Sequence, residues 1–145
     1  MMASKSETVL QALHSALVGR MPYGAKVLRN AVLPERIPAA GIMILRDGNP
    51  GTPEALMSPP LYVYEHRAEI DVVVEGKEAA REAAFDALKL AIHSAIDADR
   101  TLGGLCDYAI GEAPAPINLA IEGAEGFKAA TIPVVLTYGT ADPLL

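Results

Sequence analysis

The amino-acid sequence predicts an α+β fold in which two helices pack on one face of a mainly antiparallel or mixed β-sheet. Helical patterns occur at about residues 6–18 and 77–97, and strand-like patterns lie between and after them. These strand patterns cluster, instead of alternating strictly with helices, which is typical of an α+β domain. The length of 145 residues fits one domain over residues 1–145.

The first predicted helix runs from about Ser6 to Val18. Ser4 and Glu7 have the spacing of a capping box, in which each side chain satisfies a free backbone N–H group. Apolar residues then recur on one face at helical spacing, namely Val9, Leu10, Leu13, Ala16 and Leu17. Gly19 follows as a C-terminal cap, so the segment has the signals of an amphipathic helix at both ends.

Two short elements are predicted after this helix. Residues 26–33 form either a short strand or a helical turn. Residues 41–46 are an apolar run that ends at Asp47-Gly48, which predicts a buried strand entering a turn.

The segment 47–60 is predicted to be a long loop, since it contains four prolines and two glycines. A loop of this length inside a compact domain is uncommon and is often functional. Leu56 and Met57 make it too apolar for a plain linker. Two interpretations remain open, a solvated hairpin loop or a segment that orders when it packs on a partner.

The clearest strand pattern spans Leu61 to Val74. One set of alternate positions is mostly apolar and consists of Tyr64, His66, Ala68, Ile70, Val72 and Val74. The other set is charged and consists of Glu65, Arg67, Glu69 and Asp71. This alternation is typical of an antiparallel sheet with one solvated face. Opposite charges follow one another on that face, which allows cross-strand or inter-subunit ion pairs.

The second predicted helix extends from about Lys77 to Asp97 and is rich in alanine and straight-chain residues, which favour helices. Further strand patterns follow at residues 105–110, 117–121 and 127–138. Pro133 has no N–H group to donate, so its nitrogen is expected to face an edge or a bulge. The tail 139–145 is predicted to be flexible.

Composition excludes several classes of protein. The lone Cys106 can form neither an internal disulfide nor a cysteine-rich zinc site, and no run approaches the ~20 apolar residues of a membrane span. The net charge of −6 argues against general nucleic-acid binding, which relies on clustered Lys and Arg, and no sequence-specific nucleic-acid partner is expected. This charge divides into +4 over residues 1–46 and −10 over residues 47–145. The asymmetry indicates either an interaction surface or simply two solvated faces.

The sequence contains no motif for phosphate binding, dinucleotide binding, zinc proteolysis or a serine nucleophile. Its histidines, His14, His66 and His93, fall on three different predicted elements, so neither a metal nor a cofactor is expected. Asp107 would raise the thiol pKa of Cys106, which favours a buried structural cysteine over a nucleophile. His66 shares a face with apolar residues and is expected to be a hydrogen-bonded, half-buried histidine.

The pattern Tyr-x-Tyr-Glu-His-Arg-Ala-Glu at 62–69, within the stretch 58–72, resembles a family of small prophage tail proteins. Other matching segments lie in order along the chain at 27–30, 44–48, 99–107, 128–134 and 140–144. The chain is similar to the phage tail-terminator, or tail-completion, group, which includes the minor tail protein U of lambda-like phages.

This resemblance implies a structural protein that forms a homo-oligomeric, hexameric ring. Such a ring caps the tail tube and joins it to the head, so the implied partners are further copies of the chain, the tail tube protein and a head-completion or connector protein. The implied location is the bacterial host cytoplasm during assembly and then the virion tail. None of the matching motifs is catalytic, and the chain is therefore not expected to be an enzyme.

Two surfaces are candidates for these contacts. The candidate subunit interface consists of Arg29, Arg46, Glu65, Arg67, Glu69 and Asp71. The candidate partner loop contains Leu56 and Met57. A basic N-terminal third facing an acidic remainder could set the register between subunits.

Two other functions remain open from the residues alone. One is a small cytoplasmic enzyme, such as an acyl-CoA-using transferase, for which His66 or Cys106 would have to supply the base or nucleophile. The other is a ligand-binding or regulatory α+β domain that dimerises through its sheet.

Overall fold

The computed structural model describes residues 3–117 and 126–145 and confirms the α+β prediction. Two helices, α1 (Lys5–Val18) and α2 (Glu78–Ala98), occur in the described residues. The strands described are β1 (Lys26–Arg29), β2 (Ile42–Asn49), β3 (Glu54–Leu56), β4 (Leu61–Glu75), β5 (Tyr108–Gly111), β6 (Ala115–Pro116) and β7 (Phe127–Thr140). Within these two ranges, neither helix combines the length and apolarity needed to span a membrane.

The strands form one mixed sheet with the order β1-β2-β4-β7-β5. The β1–β2 pair is parallel, and the other pairs are antiparallel. The sheet is centred on β4 and β7, which pair from Tyr62 opposite Thr140 to Glu75 opposite Phe127. Short β3 pairs with the start of β4, and β6 pairs with β7. The edges of the main path are therefore β1 and β5.

The main core lies between both helices and one face of the sheet, which we call the covered face. Its largest fully buried side chains include Leu13, Leu17, Met43, Leu45, Ile70 and Leu88. A smaller cluster, Ile42, Ile44, Val73 and Ala129, lies on the opposite face, which we call the open face. The alternation predicted for β4 thus separates a deep core from a mainly polar surface.

The start of α1 confirms half of the predicted capping box. The Ser4 Oγ accepts a hydrogen bond from the Glu7 backbone N–H at 3.3 Å. The carboxylate of Glu7 binds Arg29 of β1. This ion pair joins α1 to the sheet, so the Glu7 carboxylate serves tertiary structure while the Glu7 backbone N–H takes part in the helix cap.

The prediction of a loop throughout residues 47–60 was wrong. Strand β2 continues to Asn49, and Glu54–Leu56 forms β3 against β4. Strand β3 and the start of β4 therefore make a hairpin, residues 54–63, which we call the hairpin arm.

The sequence left open whether residues 26–33 form a strand or a helical turn. The structure shows a strand at residues 26–29.

The end of the chain differs from its prediction in two places. Strand β7 continues through Thr140, so Gly139 and Thr140 do not belong to a flexible tail. The strand predicted at 105–110 is shorter and later, at Tyr108–Gly111. The strand predicted at 117–121 falls almost entirely outside the described residues.

Pro133 lies in the middle of β7 and meets its predicted constraint. Its carbonyl accepts a hydrogen bond from the Glu112 N–H at 2.8 Å. The nitrogen and carbonyl of one residue point to the same side of an antiparallel strand. The nitrogen of Pro133 therefore faces the interval between β5 and β6, where the ladder is interrupted.

Candidate functional site

Five of the six predicted interface residues lie together on the open face. β4 contributes alternate positions to this face, and β2 brings Arg46 directly opposite Glu69. The residues brought together are Arg46, Glu65, Arg67, Glu69 and Asp71. The sixth, Arg29, lies on the covered face. The structure therefore divides the predicted interface between the two faces of the sheet.

Asp71 is the centre of the polar contacts on the open face. The Arg46 Nε donates to its Oδ2 at 2.7 Å, and the Thr131 Oγ1 donates to its Oδ1 at 2.8 Å. Its carboxylate thus joins the two strands that flank β4. Because Arg46 is partly exposed, the pair is expected to contribute only about 0–1 kcal/mol to stability.

The other charges on the open face are more available to a partner. Arg67 forms an ion pair with Glu112, which follows β5. Glu65 and Glu69 have no ion-pair partner within the parts of the chain that are described. The open face therefore presents two uncompensated carboxylates beside two paired arginines.

Arg29 is part of an ion cluster between α1, β1 and β2. Its guanidinium binds both carboxylate oxygens of Glu7, at 2.6 and 2.8 Å, and reaches Asp47 Oδ1 at 2.9 Å. Its side chain is 20% exposed. This bidentate geometry is the strong form of an arginine–carboxylate contact. Arg29 therefore has a role within the subunit that its sequence context did not indicate.

The contacts in this cluster shift the pKa values of Glu7 and Arg29 in opposite directions. The hydrogen bonds from Arg29 are the main cause of a lowered pKa for the Glu7 carboxyl. The same bonds with Glu7 raise the pKa of the Arg29 guanidinium. Both shifts favour the charged forms, so the pair is ionised at neutral pH.

Gly48 permits the irregularity in β2 that places Asp47. The register of β2 against β4 shifts between Arg46 and Asn49. Gly48 has φ of 70°, and a Cβ atom here would lie 2.0 Å from the Arg67 carbonyl oxygen. Only glycine fits this close approach and this backbone conformation. The bulge directs the carboxylate of Asp47 to Arg29 and its carbonyl to His66.

His66 is buried and uses both of its ring nitrogens. Nε2 lies 2.6 Å from the Asp47 carbonyl oxygen, and Nδ1 lies 2.7 Å from the Tyr138 hydroxyl. A carbonyl can only accept, so in the neutral ring Nε2 carries the proton and Nδ1 accepts from the tyrosine O–H. The predicted hydrogen-bonded histidine is confirmed, although it is buried more deeply than expected.

Tyr138 completes this network from β7. Its ring packs against Tyr64 with centroids 5.9 Å apart. Burial is the main cause that raises the pKa of Tyr138 to about 12, and electrostatic repulsion from the Tyr64 side chain adds to it. The hydroxyl therefore stays protonated as a donor to His66. A cavity of about 180 Å³ lies beside these three side chains and is also lined by Ser6 and Thr140.

Cys106 is buried after α2, as its sequence context predicts. Its Sγ lies 3.5 Å from the Arg100 carbonyl oxygen. Burial, followed by the charges of Asp107 and Asp99, raises the pKa of the thiol. The thiol is therefore a poor nucleophile at neutral pH. No group of three or more histidine, cysteine or carboxylate residues suited to a metal ion occurs in the described ranges.

The predicted partner residues Leu56 and Met57 lie at the tip of the hairpin arm. Both side chains are exposed, as is Leu61 at the start of β4. Leu61 packs along Gly139 of β7, since a Cβ at Gly139 would lie 3.1 Å from its Cδ1. The arm therefore ends in an exposed apolar tip, and the Leu61 side chain at its base packs against β7.

Sequence reasoning missed Glu7 and Asp47 as partners of Arg29. The signal for Glu7 was its capping-box position, which accounts for a helix start and does not indicate a distant strand. Asp47 precedes Gly48, and this pair predicts a turn without indicating any partner for the Asp47 carboxylate. Only the folded topology, in which β1 pairs with β2 and α1 packs on the covered face, brings the three residues together.

Comparison with known proteins adds no family to this geometry. No protein-family model matches the chain, and no curated protein sequence matches it.

Proposed function

We propose that this chain is a structural phage or prophage tail protein, a tail terminator whose ring caps the tail tube and provides the head-joining surface. The proposal starts from the resemblance of the ordered segments described above. The structural observation that supports it best is the open sheet face, to which the Glu-His-Arg-Ala-Glu segment of β4 contributes the charged side chains of Glu65, Arg67 and Glu69. A face of this kind offers charged contacts to neighbouring subunits.

A closed ring requires two different surfaces of one subunit to meet head to tail. The open face, the hairpin arm and the two sheet edges are distinct surfaces and could fill these roles. The arm has an exposed apolar tip at Leu56 and Met57, which suits it to contact with the tail tube protein or a connector protein. These contacts would form in the bacterial host cytoplasm and persist in the virion tail.

The geometry of the enzyme candidates supports a structural role. Both ring nitrogens of His66 are engaged by Asp47 and Tyr138. The Cys106 thiol is buried and lies on a different part of the fold, beside the segment that follows α2. Neither residue has the activated geometry that an acyl transferase would require.

One hypothesis is that the basic N-terminal part of one subunit attracts the acidic part of the next. Reversing the charge of Arg29 or Arg46 would be a poor test of this attraction. Both arginines are bound to carboxylates of their own subunit, so reversal would disturb folding as well as assembly. Arg20, Lys26 and Arg36 are exposed, and none of them has an ion-pair partner among the described residues. They are better candidates for inter-subunit contacts.

Electron microscopy of the purified protein, alone and with tail tubes, tests the proposed function. The expected result is a ring of about six chains that caps the ends of tubes, with a matching mass in light scattering. A chain that stays monomeric at high concentration would contradict the proposal. A twofold dimer would instead favour the ligand-binding alternative.

A further inference from the structure

A groove of about 430 Å³ lies between the second half of α2 and residues 110–114. Its floor is apolar and includes Ile92, Ile96 and Ile132. Ile110 of β5 also lines it and is 45% exposed. The groove is therefore large and apolar enough to receive a bulky side chain.

The strand order places this groove beside one edge of the sheet and β1 at the other edge. We call residues 104–112 the β5 edge and residues 19–40 the β1 edge. The β5 edge contains two acidic residues, Asp107 and Glu112, and no basic residue, a net charge of −2. The β1 edge contains four basic residues and one acidic residue, a net charge of +3. The two edges are thus complementary in charge.

Tyr23 is the one aromatic residue in the sequence range 19–40 and is exposed. It occupies a tight turn in which the Ala25 N–H donates to the Pro22 carbonyl at 3.1 Å. Gly24 has φ of 87°, the backbone conformation that a type II turn requires at its third position. The turn holds the whole ring in solvent. Exposed aromatic residues of this kind often anchor interfaces by filling a pocket on the partner.

The β5 edge is guarded against addition of another strand. The Arg100 Nη1 donates to the Ala109 carbonyl at 2.9 Å, and its guanidinium lies 5.3 Å from the centre of the Tyr108 ring. Because Arg100 already donates to the Ala109 carbonyl, that carbonyl is not available to accept a hydrogen bond from an added strand. A partner at this edge must therefore bind through side chains, and the neighbouring groove is the place where it can.

We propose that Tyr23 of one copy of the chain docks in the groove beside Ile110 of the next copy. Arg20, Lys26 and Arg36 then face the acidic β5 edge of that copy. The contact joins opposite edges of the sheet, so it is head to tail and can close into a ring. This inference rests on the proposed function, because it names the surfaces through which that ring forms.

Two single variants remove the two sides of the contact separately. Tyr23→Ala removes the ring, and Ile110→Arg places a cation at the mouth of the groove. Each variant is expected to weaken self-association by about tenfold or more in sedimentation velocity. Leu144→Ala, which truncates another exposed apolar residue, and Leu90→Arg, which adds the same charge to an exposed position of α2 outside the groove, are matched controls that should assemble like the native chain.

Mixing the two variants tests the direction of the contact. Tyr23→Ala retains the groove and Ile110→Arg retains the tyrosine, so one productive contact remains between them. The expected product is a dimer that contains one copy of each variant and grows no further, as measured by native mass spectrometry. This dimer would also show that both variants are folded.

The outcomes separate this inference from the proposed function. Rings that persist in both variants would overturn the docking of Tyr23 and leave the ring proposal standing. A native chain that forms no ring at any concentration would overturn both. Loss of rings in both variants without the mixed dimer would overturn the head-to-tail contact, because that contact predicts the dimer.

Discussion

The covered face and the open face of the sheet differ in how their polar groups are satisfied. On the covered face, His66 and Arg29 are bonded by groups of the same subunit, and their contacts connect α1, β2 and β7. On the open face, Glu65 and Glu69 lie beside arginines that are bonded to other residues. The residues of both sets lie at alternate positions of one strand or on neighbouring strands of the same sheet. The difference in how their polar groups are satisfied therefore arises from the helices, which cover only one face.

This difference separates stability from association. A buried polar group must find a partner inside the chain, because an unmet hydrogen bond there costs about 1–3 kcal/mol. An exposed charge has water as its partner and can exchange it for another subunit. Substitutions on the covered face should therefore change the free energy of unfolding, and substitutions on the open face should mainly change assembly.

Ile70 and Glu69 provide the largest contrast because they are adjacent on β4 and point to opposite faces. Ile70 is fully buried in the main core. Ile70→Ala is expected to lower the free energy of unfolding by about 2–5 kcal/mol through lost contacts and a residual cavity. Glu69→Ala should change it by less than about 0.5 kcal/mol. Urea unfolding followed by circular dichroism measures both, and equal effects would contradict the division between the faces.

Tyr138→Phe tests the polar network on the covered face. The variant keeps the ring and removes the O–H donor to His66, which leaves the Nδ1 acceptor buried without that partner. The expected loss in the free energy of unfolding is about 1–3 kcal/mol. Tyr108→Phe is the matched control, since its ring is half-exposed at β5. A loss of stability equal to that of the control would show that the hydroxyl contributes nothing.

Arg29→Ala and Arg46→Ala compare the same residue type on the two faces. Arg29 binds two carboxylates, one of them with both oxygens, and its removal should cost about 1–2 kcal/mol. Arg46 makes a single ion pair with Asp71, and its removal should cost about 0–1 kcal/mol. Urea unfolding at low and high salt measures the two effects. A larger loss for Arg46 would reverse the assignment of roles.

Sequence patterns predicted the elements whose burial repeats regularly. The alternation on β4 and the apolar stripes of both helices report which face is buried, so they identified the covered and open faces correctly. The short strand β3 lies among prolines and has three exposed residues, so no periodic signal marks it.

The site could be predicted only where its residues share one strand. The charged positions of β4 follow from alternation, and the open face was found this way. The cluster of Glu7, Arg29 and Asp47 depends on three separate elements meeting, and spacing in the sequence carries no information about that. Arg29 was grouped with Arg46 by charge alone, although neighbouring positions in the sheet place them on opposite faces.

The smallest expected effect is a dependence of stability on pH through Glu7. Its folded pKa lies below the ordinary value of 4.5 because Arg29 stabilises the carboxylate. The unfolded chain therefore binds more protons in this range, and stability rises with pH. The contribution is present above about pH 4.5 and is lost as pH falls through the folded pKa. It is small because the Glu7 side chain is 37% exposed and solvent screens the pair.

Glu7→Gln removes this titration, and a matching variant on the open face shows whether the pH dependence of stability is specific to the covered face. The free energy of unfolding of Glu7→Gln should fall less steeply than that of the native chain when urea unfolding is repeated from about pH 6 to about pH 3. Glu69→Gln, on the open face and without an ion-pair partner in the described residues, should instead follow the native curve. If both variants gave the native slope, ionisation of Glu7 would contribute nothing to folding, and the covered face would differ from the open face only in its packing and in the His66 network.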